Sequence, residues 1–297
     1  MRIQSRAGPG HVALETTLLV HGVPRHSART LADALGAIVR RHHAEPAFVG
    51  LIHGRPTVGL TDEELARLLD APEVPKANTA NLGVLIHRHS HGATTIATTV
   101  ELAARTGIRF MATGGLGGVH RGYGTRLDIS GDLAALARHP VAVVCSGVKS
   151  LLDVPSTREA LETLGVPVVG YRTDSFPAFY CPTSEAGLDA TFDDEADLAA
   201  YLHDELIRTG RGIVVANLIP NDAALNPDQV ETWVRQAEQR CDSEGISGRD
   251  RTPYILKTLH EVSGGQTLRA NLALVRANTD LAARLCGRRS NNEDGVN

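Results

Sequence analysis

Aromatic residues, cysteines and long apolar runs are all scarce in this sequence. Phe, Trp and Tyr make up 4% of the 297 residues, which argues against an interaction module built on Tyr and Trp anchors. The four cysteines lie far apart with no CxxC pair, which excludes a zinc ribbon or disulfide framework and indicates reduced thiols in a cytoplasmic protein. No apolar run approaches the roughly 20 residues of a membrane helix, so we expect no membrane partner.

The charge balance is slightly acidic, with 30 Lys and Arg against 34 Asp and Glu and a formal net charge of -4. A sequence-independent grip on a nucleic-acid backbone needs a basic face, which nothing global supplies, so no nucleic-acid partner is expected. The hydrophobic fraction of 42% is that of a globular protein. The 29 glycines are unusual and call for an explanation through the backbone.

Short apolar runs alternate with longer helical patterns. Val141–Val144 is apolar on both faces, as a strand of a covered parallel sheet must be. A capping box at 61–64 and the cap residue Ser130 begin two helices. The alternation predicts one α/β domain over residues 1–297, with a mostly parallel sheet, a helical C-terminal third and a disordered tail at about 288–297. Strands are predicted at 12–20, 46–51, 108–112, 141–146, 166–170 and 212–217, and helices at 27–42, 61–69, 130–138, 157–164, 194–209, 227–244 and 252–262.

The densest glycine block, Thr-Gly-Gly-Leu-Gly-Gly-Val-His-Arg-Gly at 113–122, directly follows the predicted strand 108–112. Successive glycines allow backbone N–H groups to converge on an anion. The dinucleotide fingerprint fails because His120 stands where Gly or Ala is required, and the phosphate-loop pattern fails because no Lys-Ser/Thr follows. The block favours a ligand loop over a flexible surface turn.

Two charged residues stand next to predicted buried strands. Lys149 follows the strand 141–146, where desolvation would disfavour the charged form and make the amine a nucleophile for carbonyls. A surface lysine that opens the next helix fits the pattern equally well. Glu15 interrupts the apolar run 12–20, and a buried carboxylate must be paired or catalytic. An edge-strand residue that faces water is the alternative.

A further cluster suggests metal or sugar binding. Asp128 and Asp132 flank the cap residue Ser130, a grouping suited to a hard divalent ion or to sugar hydroxyls. Ordinary helix capping explains Asp132 but not Asp128.

Two interpretations from other classes stay open. A zinc hydrolase would use His87, His89 and His91, which would share one face of an extended strand. Because no fourth ligand is near, a polar surface loop is favoured at these histidines. A non-catalytic nucleotide-binding protein would use the glycine block alone.

Eleven short motifs occur in order along the chain. They are ALETT at 13–17, VGLT at 58–61, GATT at 92–95, MATGGLGGVHRG at 111–122, DIS at 128–130, VVCSGVK at 143–149, LGVPVVGY at 164–171, FPAFY at 176–180, VAN at 215–217, TP at 252–253 and NLALV at 271–275. Together they resemble the pseudouridine-5'-phosphate glycosidase family, also called indigoidine synthase A-like proteins. The resemblance covers nearly the whole chain, and the glycine block with its downstream lysine is the most specific part.

The resemblance implies a three-layer α/β/α sandwich that assembles as a homotrimer and acts on ribose 5-phosphate. In this family a lysine attacks C1 of the ring-opened sugar and forms an imine, the electron sink that carbon–carbon glycosidic cleavage requires. By position the nucleophile is Lys149, the proton donor is Glu15, and Asp128 holds a divalent ion, Mn²⁺ or Mg²⁺. The glycine loop would hold the phosphate and Asn271 would reach the base. The substrate contacts that the resemblance implies are Lys76, Ile96, Thr113, Ser130, Gly131, Asp132 and Asn271.

The sequence departs from the family pattern on two sides of the expected pocket. The family's second lysine precedes a Ser-Arg-Arg-Asp-Leu-Pro-like run, whereas Lys76 precedes Ala-Asn-Thr-Ala-Asn-Leu-Gly at 77–83. Segment 123–127 also differs. A less charged rim would suit a flat aromatic acceptor better than uracil, so we expect the C-ribosylating branch, which joins ribose 5-phosphate to an aromatic polyketide, as in alnumycin biosynthesis. The alternative is a glycosidase that releases uracil from pseudouridine 5'-phosphate.

Overall fold

The computed structural model describes residues 1–124, 127–246 and 251–293, which form thirteen strands and eleven helices. The strands are β1 Gln4–Ser5, β2 His11–Glu15, β3 Glu45–Ile52, β4 Arg55–Val58, β5 Lys76–Ala77, β6 Gly92–Thr94, β7 Phe110–Ala112, β8 Val119–His120, β9 Ala142–Cys145, β10 Leu152–Asp153, β11 Val168–Tyr171, β12 Ala190–Phe192 and β13 Ile213–Ala216. The helices are α1 Thr17–His21, α2 Arg25–Arg41, α3 Asp62–Asp70, α4 Leu82–His87, α5 Ile96–Arg105, α6 Gly131–Leu136, α7 Val154–Thr163, α8 Glu195–Thr209, α9 Pro227–Ser243, α10 Arg251–Val262 and α11 Gln266–Glu293.

Eleven of these strands form one sheet in the order β1-β4-β3-β2-β7-β9-β13-β11-β12, with β5 and β6 attached beside β3. Pairing is parallel from β3 to β12, and β4 and β6 pair with β3 in the antiparallel sense. The central strands are buried on both faces, as their continuous apolar runs predict. Helices α2 and α11 pack together against the sheet, and α5 packs on β2 and β3 with α6 beside it. The predicted α/β/α sandwich around a mostly parallel sheet is therefore confirmed.

The predicted strand 12–20 is shorter than expected, and its end positions a site residue. Strand β2 ends at Glu15, and the chain turns into the short helix α1. The hydroxyls of Thr16 and Thr17 donate to the carbonyls of Val49 (2.7 Å) and Ala93 (3.0 Å), which fixes this turn. The apolar residues after Glu15 therefore belong to a helix.

The C-terminal helix is longer than expected. The chain from about 288 onward was predicted to be a tail, but α11 continues to Glu293. Arg288 forms an ion pair of 3.3 Å with Glu195 on α8, which holds this part of the helix against its neighbour. None of the described helices is both long and apolar enough to cross a membrane.

Candidate active site

Three of the predicted site residues lie at neighbouring strand ends. Glu15 is the last residue of β2, Thr113 follows β7, and Lys149 lies in the loop after β9. Strand β7 pairs in parallel with both β2 and β9. Their carboxyl ends therefore open at one edge of the sheet, which is where open α/β sheets bind ligands. The order of strands brings these three positions together although they are far apart in the sequence.

Glu15 is a buried acid. Its side chain is 7% exposed and accepts a hydrogen bond from the Thr113 hydroxyl. Burial raises its pKa above the ordinary value of 4.5, because desolvation disfavours the carboxylate. Attraction to Lys149 and the hydrogen bond from Thr113 oppose this shift without cancelling it. The water-facing alternative for Glu15 is therefore wrong, and the group is suited to general acid catalysis.

The loop that carries Lys149 is fixed against the glycine block. Leu116 donates from its N–H to the Gly147 carbonyl (2.9 Å), and the Lys149 N–H donates to the Leu116 carbonyl (3.2 Å). Gly147 has a φ of 69°, and a Cβ there would collide with the Pro177 carbonyl. Only glycine allows this turn, which leads the chain from the end of β9 to a partly buried Lys149.

The glycine block is packed against the protein itself. The Gly117 N–H donates to the Asp132 carboxylate (3.0 Å), and the Val119 N–H donates to the Thr157 hydroxyl (2.9 Å). The N–H groups of Thr113, Leu116 and His120 donate to backbone carbonyls as well, so five N–H groups of the block bind protein acceptors. The expected convergence of backbone N–H groups on an anion does not hold for these five, and the glycines here permit close packing.

Asp132 joins the glycine block to the start of α5. Its carboxylate accepts from Gly117 and from the Ala97 N–H (3.0 Å), and its own N–H donates to the Ser130 hydroxyl (3.2 Å). At the start of α5, the Thr95 hydroxyl is buried and has no hydrogen-bond partner among the described residues. Four predicted substrate contacts therefore form a second cluster beside the first, and their binding role stays a prediction. They are Ile96, Ser130, Gly131 and Asp132.

We expect Gly117→Ala to disrupt this junction. The added Cβ would lie 2.7 Å from Asp132 Oδ2 and closer still to the Ser130 hydroxyl. Overpacking of this kind costs about 1–3 kcal/mol, so the free energy of unfolding should fall by that amount and activity should fall with it. Gly83→Ala on α4 is the matched control, because nothing lies within 4 Å of its Cβ. Equal urea midpoints for the two variants would contradict the prediction.

A pocket with about 510 Å³ of empty volume connects these strand ends to the C-terminal helices. Only three of the 297 residues are lysines, and two of them, Lys76 and Lys149, line this pocket. The third, Lys257, is exposed on α10. The other lining residues are Glu15, Thr17, Leu18, His21, Gly22, Thr113, Gly114, Gly115, Phe179, Thr252, Pro253, Leu256 and Asn271.

Five predicted site residues therefore share one pocket, and sequence reasoning missed some of their neighbours. The five are Glu15, Lys76, Thr113, Lys149 and Asn271. His21 lies outside the quoted motifs, and Phe179 lies within FPAFY at 176–180 with no role of its own. The scarcity of lysine is a usable signal for this pocket, because two of the three lysines of the sequence line it.

The base of the pocket is supported by a buried network around Asn278 that sequence reasoning also missed. Asn278 is fully buried on α11 and donates to the carbonyls of Thr113 (2.9 Å) and Gly114 (3.2 Å). Its Oδ1 accepts from Asn217 Nδ2 (3.0 Å) at the end of β13. It also contacts the Ser146 hydroxyl at the end of β9. One side chain thus fixes α11 to three strand ends.

We expect Asn278→Ala to lower the free energy of unfolding by about 2–4 kcal/mol, since several buried polar groups lose their partner together. Denaturant unfolding measures the change. Arg276→Ala, at an exposed position on the same helix, should change it by less than about 0.5 kcal/mol. A loss below about 1 kcal/mol for Asn278→Ala would show that the network is not an anchor.

Asp128 lies next to His120 and does not line the pocket described above. Its Oδ2 is 3.8 Å from His120 Nε2, and its side chain is 47% exposed. Burial lowers the pKa of His120. Among residues 1–124, 127–246 and 251–293, no three His, Cys, Asp or Glu side chains come together to hold a metal ion. A lone accessible carboxylate still fits Mg²⁺ or Mn²⁺, which often bind one carboxylate together with waters and substrate oxygens.

The histidines at 87, 89 and 91 do not share a strand face. His87 ends α4, His89 has a φ of 52°, and the His91 ring packs on His53 with centroids 4.4 Å apart. Residues 87–91 form a helix end and a turn and belong to no strand, so the alternation on which the zinc alternative depends is absent.

The altered segment after Lys76 does not line this pocket. Ala77 is fully buried in β5, and the Asn78 and Asn81 side chains are used in the turn that follows. Asn81 also donates to the Lys76 carbonyl (2.9 Å). No described residue from 77 to 83 is among the lining residues. The departure therefore gives no direct support for an altered acceptor. The second departure, 123–127, includes Thr125 and Arg126, which lie outside the described residues.

Relatives called pseudouridine-5'-phosphate glycosidase match this chain over nearly its whole length. A protein from Symbiobacterium thermophilum called pseudouridine-5'-phosphate glycosidase is 44% identical over 280 residues, covering 92% of this chain and 91% of the relative. A protein of the same name from Methylobacterium nodulans is also 44% identical, covering 94% and 83%.

Two solved structures share the fold. An indigoidine synthase A-like protein from Thermotoga maritima superposes with a TM-score of 0.87 at 32% identity, covering 96% of this chain and 95% of the other. The prealnumycin C-glycosynthase AlnA, solved in complex with ribulose 5-phosphate, has a TM-score of 0.87 at 33% identity, covering 96% and 93%. The model of the family described as indigoidine synthase A like protein matches residues 4–288. The chain belongs to this family, as its ordered motifs predict.

Proposed function

We propose that this protein is a lysine-dependent C-glycosidase that cleaves pseudouridine 5'-phosphate into uracil and ribose 5-phosphate. The observation that carries the proposal is the convergence of Lys149 and the buried acid Glu15 in one pocket at the strand ends. The relatives called pseudouridine-5'-phosphate glycosidase, at 44% identity, support this substrate.

The pair can perform the two operations that the reaction needs. The bond from C1 to the sugar-ring oxygen breaks as that oxygen takes a proton, and the Lys149 amine forms a bond to C1 in its place and loses a proton. The nitrogen lone pair then drives imine formation as the bond from C1 to the carbon of the uracil ring breaks. The ring carbon takes a proton, which Glu15 supplies. Water then hydrolyses the imine and releases ribose 5-phosphate and the free lysine. The atoms of one water are thereby added across the glycosidic bond.

The second cluster suits the phosphate end of the sugar. The N-terminus of α5 favours an anion through its backbone N–H groups other than that of Ala97, which Asp132 already binds. The Thr95 hydroxyl, which has no partner among the described residues, adds a donor there. Ile96 begins this helix, and Ser130 to Asp132 lie against it through the Asp132–Ala97 bond. Lys76 on the pocket wall adds positive charge. Asp128 would hold the divalent ion, Mn²⁺ or Mg²⁺, which would orient substrate oxygens.

C-ribosylation of an aromatic acceptor, which the sequence first suggests, is the second candidate. The similarity to AlnA favours it. The same imine would form, and the carbon–carbon bond would be made instead of broken. We place it second because the curated relatives are more similar and because the altered segment 77–83 does not line the pocket. Assembly as a homotrimer remains part of the proposal.

Incubation with pseudouridine 5'-phosphate and a divalent ion is expected to release free uracil, measured by chromatography with mass detection. Each candidate aromatic acceptor is then supplied with ribose 5-phosphate in a parallel reaction. Efficient uracil release without coupled product supports the glycosidase. A coupled product with no uracil release would establish the C-ribosylating candidate instead. Release that is insensitive to loss of Lys149 would overturn both.

A further inference from the structure

Two buried acceptor atoms on the pocket wall have no partner among the described residues. His21 Nε2 and Asn271 Oδ1 are both unbonded, and both side chains line the pocket that contains Lys149. Buried polar atoms are nearly always hydrogen-bonded in native proteins, so each unbonded atom requires an explanation. A pair of them on one pocket wall indicates that the bound ligand supplies the donors.

The hydrogen bonding of the His21 ring determines which of its two nitrogens carries the hydrogen. The backbone of Val74 hydrogen-bonds the ring in the sense that favours the proton, and since Nε2 is unbonded, this bond uses Nδ1. Burial and the nearby charge of Lys76 lower the pKa of His21, which keeps the ring neutral. With the hydrogen on Nδ1, Nε2 is a lone-pair acceptor.

The hydrogen bonding of Asn271 likewise leaves an acceptor atom toward the pocket. Asn271 Nδ2 donates to the Gly22 carbonyl (3.4 Å). If the amide were flipped, Asn271 Oδ1 would lie against the Gly22 carbonyl oxygen, and two acceptors would face each other. Oδ1 is therefore the atom that is left toward the pocket. Since Gly22 directly follows His21, this bond places Asn271 beside the segment that carries His21, and both side chains line the pocket. Phe179, Pro253 and Leu256 give the same pocket apolar surface suited to a flat ring.

We propose that His21 is a specificity-determining residue, whose Nε2 accepts a hydrogen bond from a ring N–H of the base while Asn271 Oδ1 accepts a second. The pocket then selects flat heterocycles that present two N–H donors and rejects those in which a donor is alkylated. This inference rests on the proposed function, because it takes the C-linked ring as the occupant of the pocket. A uracil ring linked through carbon keeps both N1–H and N3–H.

The test compares pseudouridine 5'-phosphate with its N1-methyl and N3-methyl derivatives on the wild type, His21→Ala and His21→Gln. In the wild type, methylation of the nitrogen that faces His21 is expected to lower kcat/KM by about 10–100-fold. His21→Ala should lower kcat/KM for the parent compound by a similar factor, mainly through KM, and should no longer discriminate against that methyl group. His21→Gln should recover part of the loss, because its amide oxygen can accept the same bond.

Two readouts separate this inference from the proposed function. Borohydride trapping of ribose 5-phosphate on Lys149 should be equal in the wild type and His21→Ala, since the sugar alone does not need the base contact. No trapping in the wild type would overturn the proposed function. If trapping occurs but uracil is not released, Kd is measured by calorimetry for the three compounds. The Kd values are expected to differ between the parent compound and its methyl derivatives by the same factors as predicted for kcat/KM.

His26→Ala, at an exposed position on α2, is the matched control and should discriminate as the wild type does. If His21→Ala discriminates against both methyl derivatives as strongly as the wild type does, the inference is overturned.

Discussion

Lys149→Ala is expected to abolish the borohydride-trapped adduct with ribose 5-phosphate and to lower kcat on the order of 10⁴-fold or more. The variant lacks the amine that forms the bond to C1, and no other group in the pocket can replace it as an electron sink. Lys76 lines the same pocket, but it lies on β5 and therefore reaches the sugar from a different position than Lys149, which lies in the loop after β9. Intact-protein mass spectrometry and steady-state kinetics measure the two losses.

The small number of lysines allows the adduct to be assigned to one residue without ambiguity. The chain has three lysines, so peptide mapping need assign the adduct only among them and the amino terminus. Lys257 is exposed and reports non-specific reaction. Lys149→Arg keeps a positive charge but forms no imine, so it should be as inactive as Lys149→Ala. Lys76→Ala should keep the adduct on Lys149. An adduct of undiminished yield in Lys149→Ala would exclude Lys149 as the nucleophile.

Glu15→Gln is expected to lower kcat by about 10²–10⁴-fold, because the amide cannot donate the proton that the departing ring carbon needs. The trapped adduct with ribose 5-phosphate should form more slowly but should still be detected. In the wild type, activity that depends on protonated Glu15 falls as pH rises through its raised pKa. Thr113→Val removes a hydrogen bond that favours the carboxylate, so the falling limb of its pH–rate profile should move to higher pH. A profile unchanged in Thr113→Val would contradict this role.

The same Glu15→Gln change should increase stability. Since the pKa of Glu15 is higher in the folded than in the unfolded protein, the folded state binds more protons and the wild type loses stability as pH rises above about 4.5. The amide has no such dependence. The difference in Tm between Glu15→Gln and the wild type should therefore grow from pH 4.5 toward neutral pH. A constant difference would show that Glu15 ionises as easily in the folded protein as in the unfolded chain.

Several features could be predicted because they depend on neighbouring residues. The capping box at Thr61 and Glu64 forms as expected, and so does the cap at Ser130. Both depend on side chains two or three residues from the N–H groups that they bind. The continuous apolar run of β9 likewise predicts a strand buried on both faces.

The end of β2 was predicted wrongly because apolar residues resume at Leu18 and no glycine or proline within 12–20 marks a turn. The bonds that turn the chain reach Val49 and Ala93, which are distant in the sequence. The roles of the glycines were also only partly accessible. Their density predicted a special loop, but the partners that require Gly117 to lack a side chain come from residues 130–132.

The amino-acid sequence is sufficient to predict the fold class, the family and the candidate groups for chemistry, namely Glu15, the glycine block at 113–122 and Lys149 in that order. The tertiary structure decided which of them meet. Parallel pairing of β2, β7 and β9 brings Glu15, Thr113 and Lys149 to one edge, and α11 closes the pocket with Asn271. It also determines how readily Glu15 is protonated, because the pKa of Glu15 depends on burial by residues that are distant in the sequence. Desolvation, and acceptors without a partner such as His21 Nε2, arise only when the site is packed, so they cannot be predicted from a local sequence pattern.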